Sequence, residues 1–476
     1  PIQKRKIPVI ADRAIDKEFG TGAVKVTPAH DLLDAEIGAR HNLPAIKIIG
    51  SNGRMTEEAG SICSGLKVNE CRAKVIEELK KENAFEREEP YKHNVAVCYR
   101  CGTVVEPLPS EQWFLKMDAL AKKAILAVKS GKVKFHPKRW EKIYFDWLKN
   151  IRDWPISRQL WWGQSLPVWI HEPKCIPIAG REKEIEKYEE IKVSITEPRC
   201  DHCAAKFVQS EDVLDTWFSS ALWPFAALGG PDKTKDFKEF YPTSVLSTAR
   251  DIINLWVSRM IFSGLEFTGK VPFKDVLVHA TILTKDGKRM SKSLGTGVDP
   301  LMLIEKYGSD AVRFGLIWQA MGGQDIHWAE EHVIAGKKFA NKLWNIARYV
   351  LEKSGDDWEQ YKKAGPVPFP ISEVTGSYSY GGPLRTLVED VNKNLDNYNF
   401  GEALHALYHS IWHGFADKYI EESKLKDDDE TKKNLVYSLQ IILKLLHPFM
   451  PFITEEIWSR LPIKNKKLLL VEEWPI

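Results

Sequence analysis

Apolar residues recur at helical spacing through the last third of the chain. Val333, Phe339, Leu343, Trp344, Ala347 and Leu351 keep three- and four-residue steps, which predicts a helix with one face turned to a core. The same period predicts helices over 384–395, 400–424, 432–446 and 452–461, together a helical bundle. The Gly/Ser/Pro-rich stretch 365–383 reads as a loop between them. Upstream, over 212–328, the pattern alternates: a helix over 251–266, a strand over 276–280, a loop, then a helix over 301–307. Such alternation predicts a parallel α/β sheet. The first part mixes short apolar runs at 7–10 and 45–49, read as strands, with a helical stretch from Val68 to Lys81, an α+β unit. The region between reads as irregular connective structure, and its charged stretch 182–192 as a solvated hairpin or helix rim.

At 476 residues the chain is long enough for two to four domains, and 43% hydrophobic with 28% charged residues fits globular packing. The net charge of +3 gives no global field for nucleic acid, so RNA contact would come from local patches such as Lys122-Lys123, 129–139, Lys337-Lys338 and 464–467. The longest apolar runs are broken by charge well short of the ~20 residues that cross a bilayer. The N-terminus PIQKRKIPVI has neither an initiator Met nor a signal-peptide core and reads as an internal start, so the chain is expected to be a piece of a longer polypeptide. Of seven cysteines, four form two CxxC pairs. That usage suits metal binding in a reducing, cytoplasmic compartment better than disulfides. Cys63 and Cys71 are then expected to be core or half-exposed thiols.

Three constellations carry chemistry. In GKRMSKSLGTGVDP, Lys288, Arg289 and Lys292 offer charge for phosphoryl oxygens, Ser291 and Ser293 offer hydroxyl donors, and Gly287, Gly295 and Gly297 let the backbone hinge. A basic surface turn is the plainer alternative. In GTGAVKVTPAHDLLD, strand alternation would put Lys25 and Thr27 on one face and a turn after Pro28 would deliver Asp31 and Asp34 beside them. Such a set can clamp an ammonium group, hold a hydroxyl and position water for ester cleavage. It can equally be a helix start near Leu32 with Asp31 as N-cap. Cys98-Tyr99-Arg100-Cys101 and Cys200-Asp201-His202-Cys203 are each half of a tetrahedral zinc site. The two pairs can close on each other, or the second can join Cys175 and His171, or both can be degenerate knuckles without metal.

The 288–293 segment resembles the KMSKS loop of class I aminoacyl-tRNA synthetases, with Arg289 where the family usually has its first lysine. GTGAVKVTPAHDLLD resembles the editing site of the valine, isoleucine and leucine members. The resemblance implies that Asp34 binds the α-amino group of a mischarged residue, with Lys25, Thr27 and Asp31 lining the pocket. ISRQLWWG at 156–163 and DVLDTWFSSALWPF at 212–225 resemble the valyl branch, since isoleucyl and leucyl relatives usually carry arginine where Leu160 stands. By position, Trp217, Ile252 and Trp256 match the walls of the valine slot, and Asp251 and His279 match positions near the adenosine. The zinc knuckles of that branch favour separate sites for the two cysteine pairs. FADKYIEESK and HPFMPFITEEIW resemble the anticodon-binding bundle.

The implied fold is α/β: the second half of a class I Rossmann-like catalytic fold, with an α+β editing insertion and an α-helical anticodon-binding bundle. The expected boundaries are 1–90 for the C-terminal part of the editing domain and 91–211 for a connective region with zinc knuckles. They continue with 212–330 for the second half of the catalytic domain and 331–476 for the anticodon-binding domain. The implied activity is ATP- and Mg2+-dependent ligation of valine to tRNA(Val), with hydrolysis of mischarged threonyl-tRNA and zinc as a further metal. No HIGH-like motif is present in the sequence. A separate N-terminal polypeptide supplying that half is therefore an expected partner, and a catalytically incompetent tRNA-binding fragment is the alternative.

Overall fold

The computed structural model describes residues 3, 5–18, 20–90, 92–98, 101–171, 191–199, 206–290, 295–356, 358–361 and 384–476. The predicted loop 365–383 lies outside them, as does most of the charged stretch 182–192. The chain forms two compact units, Pro1–Trp113 and Phe114–Ile476.

In the first unit Asp31 caps helix α1 (Leu32–Arg40), its side chain accepting from Asp34 N. Arg40 and His41, at the other end of α1, grip Asp12, and the Arg40 guanidinium holds the Asp12 carboxyl well below the usual range. Helix α2 (Val68–Lys81) has the bounds its pattern predicts and opens with Glu70 accepting from Lys67 N. The strands predicted at 7–10 and 45–49 do not form. Ile7 and Val9 are exposed, and Ile49 makes only an isolated bridge to Met55; an extended run without a partner edge gains no ladder hydrogen bonds. A second expectation also fails: Cys63 and Cys71 are joined as a disulfide rather than left as thiols.

The second unit opens with β1 (Phe114–Leu115), α3 (Asp118–Lys129), β2 (Lys134–His136), α4 (Glu141–Lys149), β3 (Trp154–Pro155) and β4 (Ser157–Arg158). A small antiparallel sheet follows from β5 (Val168–His171), β6 (Ile191–Val193) and β7 (Phe207–Gln209), in the order β6-β5-β7. Next come β8 (Val213–Leu214), α5 (Thr216–Ala226), α6 (Lys235–Phe240) and β9 (Thr243–Ala249). A 3-10 turn (Arg250–Ile252) and a π-helical turn (Ile253–Val257) lead into α7 (Ser258–Thr268), which Gly269 ends at φ +71°, a conformation only glycine adopts freely. Strand β10 (Phe273–His279) pairs in parallel with β9 on one side and β2 on the other. The stretch 118–149, expected to be irregular, therefore supplies two helices and a sheet strand. A three-residue strand whose partner lies far along the chain leaves no period to read. Val276, Val278 and Phe135 bury the sheet against Ala124, Tyr144, Met260 and Ile261 of the surrounding helices, each large apolar side chain contributing about 1.5–3 kcal/mol.

After β10 come β11 (Ile282–Leu283), α8 (Pro300–Tyr307), α9 (Ser309–Gln319) and β12 (Ile326–His327), which pairs with β11. The rest is helical: α10 (Glu331–Ser354), α11 (Leu384–Asp396), α12 (Phe400–His409), a π-helical stretch (Ser410–Ile420), α13 (Glu421–Ser423), α14 (Asp429–Leu446) and α15 (Pro451–Arg460). Phe339, Leu343 and Val350 of α10 meet Leu404 and Leu407 of α12 and Leu439 and Leu443 of α14 in one core. Asp310 of α9 accepts from Phe452 N and Ile453 N at the start of α15, and Arg313 donates to the carbonyls of Pro448 and Phe449, which fixes bundle to sheet domain.

Candidate functional site

Parallel pairing sets His279 opposite Ala249, so β9 and β10 end side by side. Ligands of open α/β sheets bind beyond such carboxyl ends. Past β9, the Arg250–Ile252 turn presents Asp251, and Arg250 is held by Asp325 at 2.9 Å. Past β10, β11 leads into a tight turn in which Thr284 N donates to Lys288 O at 2.7 Å and Gly287 takes φ +77°. That turn brings Arg289 opposite Leu283, and its Nη1 reaches Asp251 Oδ2 at 2.9 Å. Asp251, His279, Lys288 and Arg289 are all exposed. Ser291, Lys292 and Ser293 lie outside the described residues.

Trp217 sits on α5, and Ile252 and Trp256 sit on the turns that precede α7. Trp256 Nε1 donates to Ser220 O at 3.0 Å, which holds the two segments together, and both indoles are half-buried against the sheet core. Beneath them lies a residue that sequence reasoning passed over. Asp215, buried, caps α5, accepts from Trp154 Nε1 at 2.9 Å and pairs with Arg158 at 3.0 Å and Arg259 at 3.8 Å. Arg259 stacks over the Trp154 ring at 3.9 Å, and burial pushes its pKa down to about 10 against the pull of Asp215. The acid before the Trp-rich helix was the available signal.

In the first unit Asp34 Oδ2 accepts from Thr27 N at 2.7 Å and from Thr27 Oγ1 at 3.0 Å, while Asp31 caps Asp34 N. Thr27, Asp31 and Asp34 thus meet, with Asp34 buried and Lys25 exposed nearby in sequence. The short strand expected to carry Lys25 and Thr27 is not formed, and the Thr27 amide is spent on the Asp34 carboxylate rather than on a ladder. Asp31 is the helix cap, and Thr27 and Asp34 are joined beside it. His30 is a second residue not singled out from sequence. Its Nε2 accepts from Ile48 N at 2.9 Å and Ile49 N at 3.3 Å, and its Nδ1 faces Pro107 O at 3.0 Å, so the proton sits on Nδ1.

Gly102 N donates to Cys98 O at 2.8 Å, and hydrogen bonding to Thr103 lowers the Cys101 pKa. Two thiols are half a zinc site. Among the described residues no group of three or more His, Cys, Asp or Glu side chains could hold a metal, and His171 is buried against Phe207. Cys175, Cys200 and Cys203 lie outside the described residues.

Residues 31–329 match a family described as tRNA synthetases class I (I, L, M and V), and 383–476 match the anticodon-binding domain of tRNA ligase. The valine–tRNA ligase of Carboxydothermus hydrogenoformans is 46% identical over 481 residues, covering 100% of this chain and 52% of that protein. That of Thermotoga maritima is 44% identical, covering 100% and 53%. The chain spans about half the length of the curated relatives it matches. Mycobacterium tuberculosis methionyl-tRNA synthetase in complex with methionyl-adenylate shares the fold, with a TM-score of 0.52 at 20% identity over 77% of this chain and 65% of that one.

Proposed function

We propose, from the premise that the chain belongs to the class I tRNA synthetases (I, L, M and V), that it carries half of the machinery of a valine–tRNA ligase. Valine's carboxylate attacks the α-phosphorus of MgATP in line, pyrophosphate leaves, and the acyl group then passes to the terminal ribose of tRNA(Val). Lys288, Arg289 and Lys292 neutralise the charge that builds on the phosphates, with Ser291 and Ser293 as hydroxyl donors, and Asp251 and His279 border the nucleoside. Trp217, Ile252 and Trp256 wall an apolar slot for the isopropyl group.

Such a slot rejects the isosteric, hydroxyl-bearing threonine poorly, a weakness for which the valine pocket is the standard instance. A second, hydrolytic site answers it. Asp34 has Oδ2 committed to Thr27 and offers Oδ1 to the ammonium of a mischarged threonine, while Lys25, Thr27 and Asp31 hold its hydroxyl and a water. Zinc at Cys98 and Cys101 rests on the resemblance alone, and no step is assigned to it.

The observation that carries this reading is the 2.9 Å Arg289–Asp251 pair beyond the ends of two parallel strands. Among the described residues β9 has a neighbour on one side only, and Val245 on it is exposed. A parallel sheet is normally covered and continued at such an edge, which supports a partner segment, on the same or a separate polypeptide, completing the nucleotide fold. The test is to co-express the chain with the N-terminal half of the Carboxydothermus hydrogenoformans enzyme and follow charging of tRNA(Val) with radiolabelled valine. Charging that needs both parts and is lost in Lys292→Ala supports the reading. Full-rate pyrophosphate exchange by the chain alone, or charging indifferent to Lys292, overturns it.

A further inference from the structure

One small core cluster of the first unit buries Ile49, Met55, Cys63 and Cys71, and two of these four are the linked cysteines. The disulfide ties two pieces of backbone that local hydrogen bonds alone would hold. Cys63 precedes the segment in which Gly65 N donates to Met55 O and Leu66 O accepts from Met55 N; Cys71 lies in the first turns of α2. Ile48 and Ile49, packed on this core, are the same residues whose amides donate to His30 Nε2. His30 is followed by Asp31, which caps Asp34. A continuous set of contacts therefore runs from the sulfur pair through Ile49 and His30 to the Thr27–Asp34 cluster.

We propose that Cys63 and Cys71 form a redox-responsive staple that positions this cluster, a role that rests on the hydrolytic reading of Asp34 given above. Closing the staple joins the two sulfurs, and their two hydrogens pass, net, to a low-molecular-weight disulfide of the oxidised-glutathione type, which is cleaved to two thiols. A dithiol reductant runs the exchange in reverse. With the staple closed, residues 63–71, which carry Gly65, Leu66 and the first turn of α2, form one covalently bounded loop, and the Ile48 and Ile49 amides stay on His30. With it open, a core that has lost its cross-link lets α2 fray, and the carboxylates lose their fixed spacing. Both sulfurs are buried, so reagents reach them only through local opening and the exchange is slow in the folded protein.

The test uses the full chain equilibrated with oxidised glutathione or with dithiothreitol. Non-reducing peptide mapping reads the bond, hydrogen exchange reads the order of the unit, and hydrolysis of threonyl-tRNA by the chain complemented with its N-terminal half reads the consequence. Expected are a Cys63–Cys71 linked peptide, exchange of the Ile48, Ile49 and α2 amides about tenfold slower in the oxidised form, and faster hydrolysis with it. The Cys63→Ala/Cys71→Ala double variant should show no redox difference; if it does not fold, Cys71→Ser serves, locked in the open state. Free thiols at both positions after oxidised glutathione, or equal exchange at Ile48 and Ile49 in the two states, overturns the proposal. Absence of threonyl-tRNA hydrolysis in both states would instead strike the hydrolytic reading, since mapping and exchange need no substrate.

Discussion

The guanidinium of Arg289 rests 2.9 Å from the carboxylate of Asp251, joining the first arm of the basic loop to the turn that follows β9. Both side chains are largely solvated, so the pair is worth at most about 1 kcal/mol to stability. Its effect is on position: it parks a cation where a phosphate would replace the carboxylate as partner. Arg289→Ala should lower valine-dependent pyrophosphate exchange in the complemented enzyme by roughly ten- to a hundredfold. The exchanged pair Asp251→Arg/Arg289→Asp should not recover it; recovery would mean that the two residues serve only each other.

Asp34→Asn keeps the size and an acceptor for Thr27 but loses the charge. Hydrolysis of threonyl-tRNA is expected to fall about a hundredfold, with valylation and the thermal midpoint unchanged. A variant that melts earlier and hydrolyses normally would assign Asp34 to the fold alone.

Asp215 is a carboxylate shared by two guanidinium groups, those of Arg158 and Arg259. Removing it leaves Arg259 buried and uncompensated, so Asp215→Ala should cost about 3–5 kcal/mol in urea denaturation. The double variant Asp215→Leu/Arg259→Met should return part of that loss. Simple additivity would show that the two do not act as a pair.

His447 hydrogen-bonds Thr454 at 2.8 Å, and burial pushes its pKa below the ordinary 6.5. The unfolded chain takes up a proton as pH falls through about 6.5 while the folded ring resists, so the unfolded state binds more protons and stability drops below that pH. Urea midpoints at pH 7.5 and 5.5 should differ more in the native chain than in His447→Gln. Equal differences would place the pH response elsewhere.

Helices over long periodic stretches were legible in the sequence, α2 and α10 among them, because an apolar stripe repeats often enough within one element to be counted. What the sequence withheld was everything settled by distant partners. Strand β2 is three residues long and is defined by β10, the runs at 7–10 and 45–49 are strand-like but unpaired, and the Cys63–Cys71 link depends on a fold that places two ordinary-looking cysteines together. The motif residues fared by the same rule. Asp31 and Asp34 are close in sequence and meet in space, and Asp251 and Arg289 were each singled out, but their contact could not be read. His30 carried no signal of its own and Asp215 only its place before the Trp-rich helix, since the partners that give each its role, backbone amides for His30 and Trp154, Arg158 and Arg259 for Asp215, come from other segments.

Asp251, Ile252 and Trp256 all stand on the 3-10 and π-helical turns that precede α7. A π turn holds one residue more than an α turn, and each residue of an α-helix advances the azimuth by about 100°. Because either turn completes one revolution, excising Leu255 would let the helix run on as regular α with Asp251 keeping nearly the same azimuth relative to α7. The wide turn is thus a phase-neutral insertion: it broadens the backbone at Trp256 and leaves the heading of Asp251 unchanged.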